Sequence, residues 1–147
     1  MAKLDTERIL SKIDERDSYL EELRGVTPKD FKEYQQPEKR RSCERLLQIT
    51  IEVVIDICNL FVSGLRLGLP SEENDLFEKL RKAGIITEEM EDKVEEMRAF
   101  RNILVYEYAH VDDSLVYKAV KEKLGDFSSF KKEVLEAIKS DVGKNRG

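Results

Sequence analysis

The chain has 147 residues, with 26 lysines and arginines against 31 aspartates and glutamates, for a formal net charge of −5. That length suits one domain, and the acidic balance excludes a general DNA or RNA coat protein, which needs a large positive excess to displace counterions. Hydrophobic residues make up 40% and charged residues 39%, enough for one apolar core under a heavily ionised exterior.

The N-terminal MAKLDTERIL carries early acids and no apolar signal stretch, and no apolar run approaches the roughly 18–20 residues that span a bilayer. A soluble, cytoplasmic protein without membrane association is expected. From Leu4 to Arg24, the residues Ile9, Ile13, Leu20 and Leu23 fall on one stripe, with charge at Asp5, Glu7, Lys12, Glu15 and Glu22. This predicts an amphipathic helix ended by Gly25, with Pro28 just beyond. Pro37 opens the second helix, since proline's missing N–H has no partner in a first turn, and the helix runs to Gly64. The stretch ITIEVVI is rich in β-branched residues, but the apolar run is too long for one strand. Arg45, Gln48, Glu52, Asp56 and Asn59 mark a helical polar edge. Cys43 and Cys58 then lie about 22 Å apart on one helix, too far for a disulfide.

Gly64, Gly68 and Pro70 punctuate a loop, after which Ser71 or Asn74 caps a short helix carrying Leu76, Phe77 and Leu80 and stopped by Gly84. Thr87 caps the next helix, with Glu88 and Glu89 favouring its N-terminus, and Met90, Val94, Met97, Phe100 and Leu104 form its core stripe. A last helix, or pair of helices, begins at Asp112 or Asp113 and extends through Ile138, with Gly125 a point of bending. Residues 1–142 are expected to form the single domain and Gly143–Gly147 a frayed tail. The whole predicts an all-α antiparallel bundle of four to five helices. Two cysteines and one histidine, His110, cannot build a structural zinc site. There is no glycine-rich phosphate loop, so neither metal nor cofactor is expected.

The segment Met97–Asp113, MRAFRNILVYEYAHVDD, departs most from a plain amphipathic helix. Arg101, Asn102, Tyr106, Tyr108 and His110 gather polar chemistry at a helix end. They are either a dipole-balancing arginine with polar exit residues or a working site. Glu52 and Asp56, spaced i, i+4, share one face of the most apolar helix. A carboxylate there needs a partner; Arg101 is the natural one, held by a charge-assisted bond, although a solvated polar seam accounts for the pair equally well. Lys39, Arg40, Arg41 and Arg45 form a basic cluster that is either a solvated face or a contact for RNA phosphates.

With RRSCERLLQITIEVVIDICNLF, the LGLP turn, IITEEM and above all MRAFRNILVYEYAHVD, the chain resembles the HepT-like branch of the HEPN superfamily. Those are small dimeric helical proteins of prokaryotic toxin–antitoxin pairs. The resemblance implies a HEPN-like fold and a metal-independent ribonuclease whose motif is Arg-Asn, three residues, His, one residue, Tyr. It also implies a cognate nucleotidyltransferase antitoxin that silences the toxin by adding AMP to the last tyrosine. In this chain the arginine falls on Arg101, the asparagine on Asn102 and the modified tyrosine on Tyr108. The histidine position holds Tyr106, and His110 lies beyond the usual spacing.

Metal-free RNA cleavage requires the 2′-OH to lose its proton, the phosphorane charge to be stabilised and the leaving 5′-oxygen to be protonated. Arginine suits the middle task with a planar fork that matches phosphate oxygens. Histidine suits the proton transfers, whereas tyrosine is a poor base near neutrality. The expectation is therefore a weakened ribonuclease acting on RNA, with no DNA substrate, or an enzyme that borrows His110 from the same or the facing subunit. Its homodimer would share a cleft containing Arg101, Tyr106 and Tyr108 from each chain. The alternative is a non-catalytic HEPN subunit that binds nucleotide, RNA or a partner.

Overall fold

Seven α-helices and no strand make up the described residues, 3–107 and 111–146 of this computed structural model. Asp5 starts the first, α1 (Thr6–Val26), by accepting the Arg8 N–H at 3.2 Å. The predicted stripe of Ile9, Ile13, Leu20 and Leu23 is buried. A single turn, α2 (Phe31–Tyr34), follows, capped by Asp30 through the Glu33 N–H at 2.8 Å. Four residues show no periodicity, so nothing in the sequence pattern predicted it. The turn seats Tyr34 in the core beside Phe31 and Tyr117.

The central element is α3 (Pro37–Gly64), which packs against α1, α4 and α5. The β-branched run is helical and lies in the core, with Ile51, Val53, Val54, Ile55 and Ile57 all buried. This helix corrects one expectation: its apolar window, with a mean hydropathy of 1.8, is long and apolar enough to cross a bilayer by length and composition. Burial inside the fold accounts for 61% of that window, so its apolarity serves helix–helix packing. Cys43 and Cys58 are buried and free.

The next two helices, α4 (Glu73–Lys82) and α5 (Glu88–Tyr106), form an antiparallel hairpin. Gly84 makes the turn at φ 77°, a left-handed conformation that glycine adopts without a steric penalty. Arg81 pairs with Glu91 at 2.5 Å beside this turn, and Glu73 meets Arg98 and Arg101 at the far end. Thr87 caps α5 as predicted, accepting the Met90 N–H at 3.1 Å. Neither candidate cap of α4 is used as expected. Glu72 occupies the cap position without a side-chain bond, the Ser71 N–H donates to Asp75, and the buried Asn74 Oδ1 has no partner among the described residues.

The chain ends in a helix pair, α6 (Asp113–Glu122) and α7 (Gly125–Arg146). Asp112 caps α6 through the Ser114 N–H at 3.0 Å. Gly125 starts α7 instead of bending one long helix, and with α2 this raises the count from the expected four or five to seven. Helix α7 also runs past the expected boundary at 142 to Arg146.

A buried arginine joins the two ends of the chain. Arg16, 1% exposed, donates to the Phe127 carbonyl and to Asp17 Oδ1 at 2.8 Å. Lys131 of α7 donates to the other Asp17 oxygen at 2.5 Å. Partial burial pushes the Asp17 carboxyl up, but the bonds from Lys131 and Arg16 outweigh it and hold the carboxyl below its usual range. A depressed folded value means that this contribution is present above the ordinary aspartate range and is lost as pH falls through the folded value. Arg16→Met should lower the unfolding free energy by about 1.5–3 kcal/mol, the usual contribution of a hydrogen bond made by a charged donor. Urea denaturation measures this, and an unchanged midpoint would show that the contact contributes nothing.

Candidate active site

The polar residues at the end of α5 are placed by its apolar stripe. Met97 and Leu104 are buried in the core, which turns Arg98 and Arg101, spaced i, i+3, toward the first turn of α4. Arg101 is 14% exposed at its side chain. Its Nε donates to Asn102 Oδ1 at 2.9 Å and its Nη2 donates to Glu73 Oε1. Arg98 Nε donates to the same Glu73 oxygen at 3.0 Å. The helix stops at Tyr106, and the Glu107 N–H closes it on the Ile103 carbonyl at 3.0 Å. Tyr106 is 78% exposed. A guanidinium anchored on one edge therefore precedes a solvent-facing phenol by five residues on the same helix.

The expected partner of Arg101 is corrected by this geometry. Glu52 accepts from Gln48 Nε2 at 3.1 Å, and Asp56 pairs with Lys12 of α1 at 3.5 Å. The polar edge of α3 faces α1 there, while Arg101 sits on the side of α5 that faces α4. Glu52 and Asp56 are thus a polar seam and do not hold the arginine. Glu73 and Arg98 were missed; the arginine spacing in MRAFR, read with a short α4–α5 turn, was the available signal. Tyr108 and His110 lie outside the described residues.

The basic cluster at the start of α3 is partly neutralised. Arg40 pairs with Asp113 at 3.3 Å and with Glu44 at 3.9 Å, and Arg41 with Glu44 at 3.3 Å. Burial pushes the Glu44 carboxyl up, and the two arginines only partly offset this. Among the described residues no group of three or more His, Cys, Asp or Glu side chains is arranged to hold a metal ion.

A helical bundle presenting an arginine–asparagine pair at the exposed end of one helix defines a HEPN-like protein. The chain belongs to the ribonuclease HepT-like family, whose family model matches residues 16–134. It is similar to the mRNA nuclease HepT of Shewanella oneidensis, 32% identical over 95 residues that cover 65% of this chain and 68% of that protein. In fold it matches a tri-AMPylated Shewanella oneidensis HEPN toxin solved in complex with MNT antitoxin. The TM-score is 0.80 at 27% identity, over 87% of this chain and 96% of the other. The cytosolic protein YutE from Bacillus subtilis shares the fold at 20% identity, with a TM-score of 0.83 over 97% of this chain and 96% of that one.

Proposed function

We infer that this chain is the toxin of a toxin–antitoxin pair, a metal-independent ribonuclease restrained by a nucleotidyltransferase that adds AMP to Tyr108. The observation that carries this reading is Arg101, braced by Asn102 on the helix that ends in the exposed Tyr106. In the reaction the ribose 2′-oxygen attacks phosphorus as its proton passes to solvent water, and the bond to the 5′-oxygen breaks. The products are a 2′,3′-cyclic phosphate and a 5′-hydroxyl. Arg101 meets the negative charge that builds on the phosphorane oxygens. Tyr106, at the position of the family histidine, donates a hydrogen bond or a proton to the leaving oxygen and is a poor acceptor of the 2′-proton. The rate is correspondingly low.

The protein works in the cytoplasm as a homodimer. Ile103 and Tyr106, one turn apart on α5, are 38% and 78% exposed, and a symmetric pairing across this end of α5 would cover Ile103 and bring two arginine sites together, with Tyr106 left open to the shared cleft. The second reading, a subunit that binds RNA or nucleotide without turnover, is favoured by one observation: Tyr106 stands at the position where the resemblance places the family histidine.

Co-expression with the nucleotidyltransferase tests the first reading. The purified chain should gain about 329 Da per AMP, the mass of a phosphoryl-linked adenylate, and cleavage of RNA in the presence of chelator should disappear with that gain. Tyr108→Phe should escape both effects. Cleavage that persists in the fully modified protein, or a mass gain retained in Tyr108→Phe, would overturn the assignment.

A further inference from the structure

Two arginines of α5 converge on a single carboxylate oxygen. Arg98 Nε and Arg101 Nη2 both donate to Glu73 Oε1, a pattern that two guanidiniums also make with one non-bridging phosphate oxygen. The exposures are graded: Arg101 is 14%, Arg98 26% and Glu73 33% accessible at the side chain. The carboxylate is therefore the most accessible of the three and is not one of the buried core residues. Two positive charges face one negative charge, so exchanging the carboxylate for a phosphodiester monoanion leaves the local balance unchanged. Desolvation thus does not oppose the exchange, as it does when an isolated charge is buried.

We propose that Arg98 and Arg101 together form an anion site for a phosphodiester of the bound strand, and that Glu73 occupies this site in the free protein. Glu73 is then an internal competitor: the strand binds by displacing it, and Arg98 is a phosphate-binding residue beside the reactive arginine. This rests on the reading of Arg101 as the phosphate-facing residue of a ribonuclease. It adds a second binding residue and a built-in brake on substrate entry.

A labelled 2′-O-methyl oligoribonucleotide, which lacks the attacking hydroxyl, separates binding from cleavage. Glu73→Gln, which keeps the shape and removes the charge, should tighten its binding about three- to tenfold, because the competent form no longer competes with a closed one. Arg98→Ala should weaken binding and reduce the slope of log affinity against log salt by about 0.7, one phosphate contact to a single strand. Arg98→Lys should restore that slope, which a merely structural role for Arg98 would leave unaltered in every variant. Weaker or unchanged binding in Glu73→Gln, or an unchanged salt slope in Arg98→Ala, overturns the inference. If Arg101→Ala still abolishes cleavage in that event, the ribonuclease reading stands without it. Tighter binding in Glu73→Gln with cleavage unaffected by Arg101→Ala supports the anion site and removes Arg101 from the cleavage mechanism.

Discussion

Tyr106→His should raise RNA cleavage by about 10²–10⁴-fold, the usual contribution of one general acid–base group. The position is well suited to receive it. Tyr106 is the last residue of α5 and 78% exposed, so an imidazole there is neither forced into the core nor crowded by it. An exposed histidine titrates near pH 6.5, and the variant should therefore acquire a limb in its pH–rate profile near neutrality that the native protein lacks. Rate measurements between pH 5 and 8 on both proteins decide the point. Activity appearing only in the variant would favour the native chain as a binding subunit. No gain at all, with native cleavage intact, would show that the proton transfers are handled elsewhere.

Arg101→Ala should reduce cleavage by about 10²–10³-fold, comparable to removing one oxyanion donor, and should do so equally in the Tyr106→His background. Loss in both backgrounds separates charge stabilisation from proton transfer. Arg101→Lys should recover only part of the activity, since an ammonium cannot keep the Asn102 contact and present a planar fork at once. The folded state provides a control: Arg101 is a partly accessible side chain at a helix end, so thermal denaturation should shift little. Unchanged cleavage in Arg101→Ala would end the proposed mechanism.

The main helices could be read from the sequence because their signals are local. The stripe of α1, the proline that opens α3, the Thr87 cap and the turn at Gly84 each act within a few residues, and each stands where the pattern put it. Helix α2 escaped because one turn has no period, and the break before α7 because a glycine inside an apolar pattern is compatible with either a bend or a fresh start. Arg101 and Asn102 were visible as a motif, but the partner of Arg101 was not. Glu52 and Asp56 satisfied the sequence logic of an unpaired carboxylate on an apolar helix. Only the packing of α5 against α4, which turns the arginine toward Glu73, removed them. The burial of Arg16 was hidden for a different reason: arginine is ordinarily a surface residue, and its acceptor is a main-chain carbonyl in α7.

That same contact sets the order in which the protein can be completed during synthesis. Arg16 emerges from the ribosome early, yet its acceptor at Phe127 and the Lys131 that shares Asp17 are translated 111 and 115 residues after it. At about 5–20 residues per second, the nascent chain spends several seconds with this cation on the inner face of α1 and only the neighbouring Asp17 to receive it. The bond from Arg16 to the Phe127 carbonyl can form only once the start of α7 has left the exit tunnel. An α1–α5 fragment released early carries its arginine–asparagine pair on a scaffold without the α7 acceptor of Arg16.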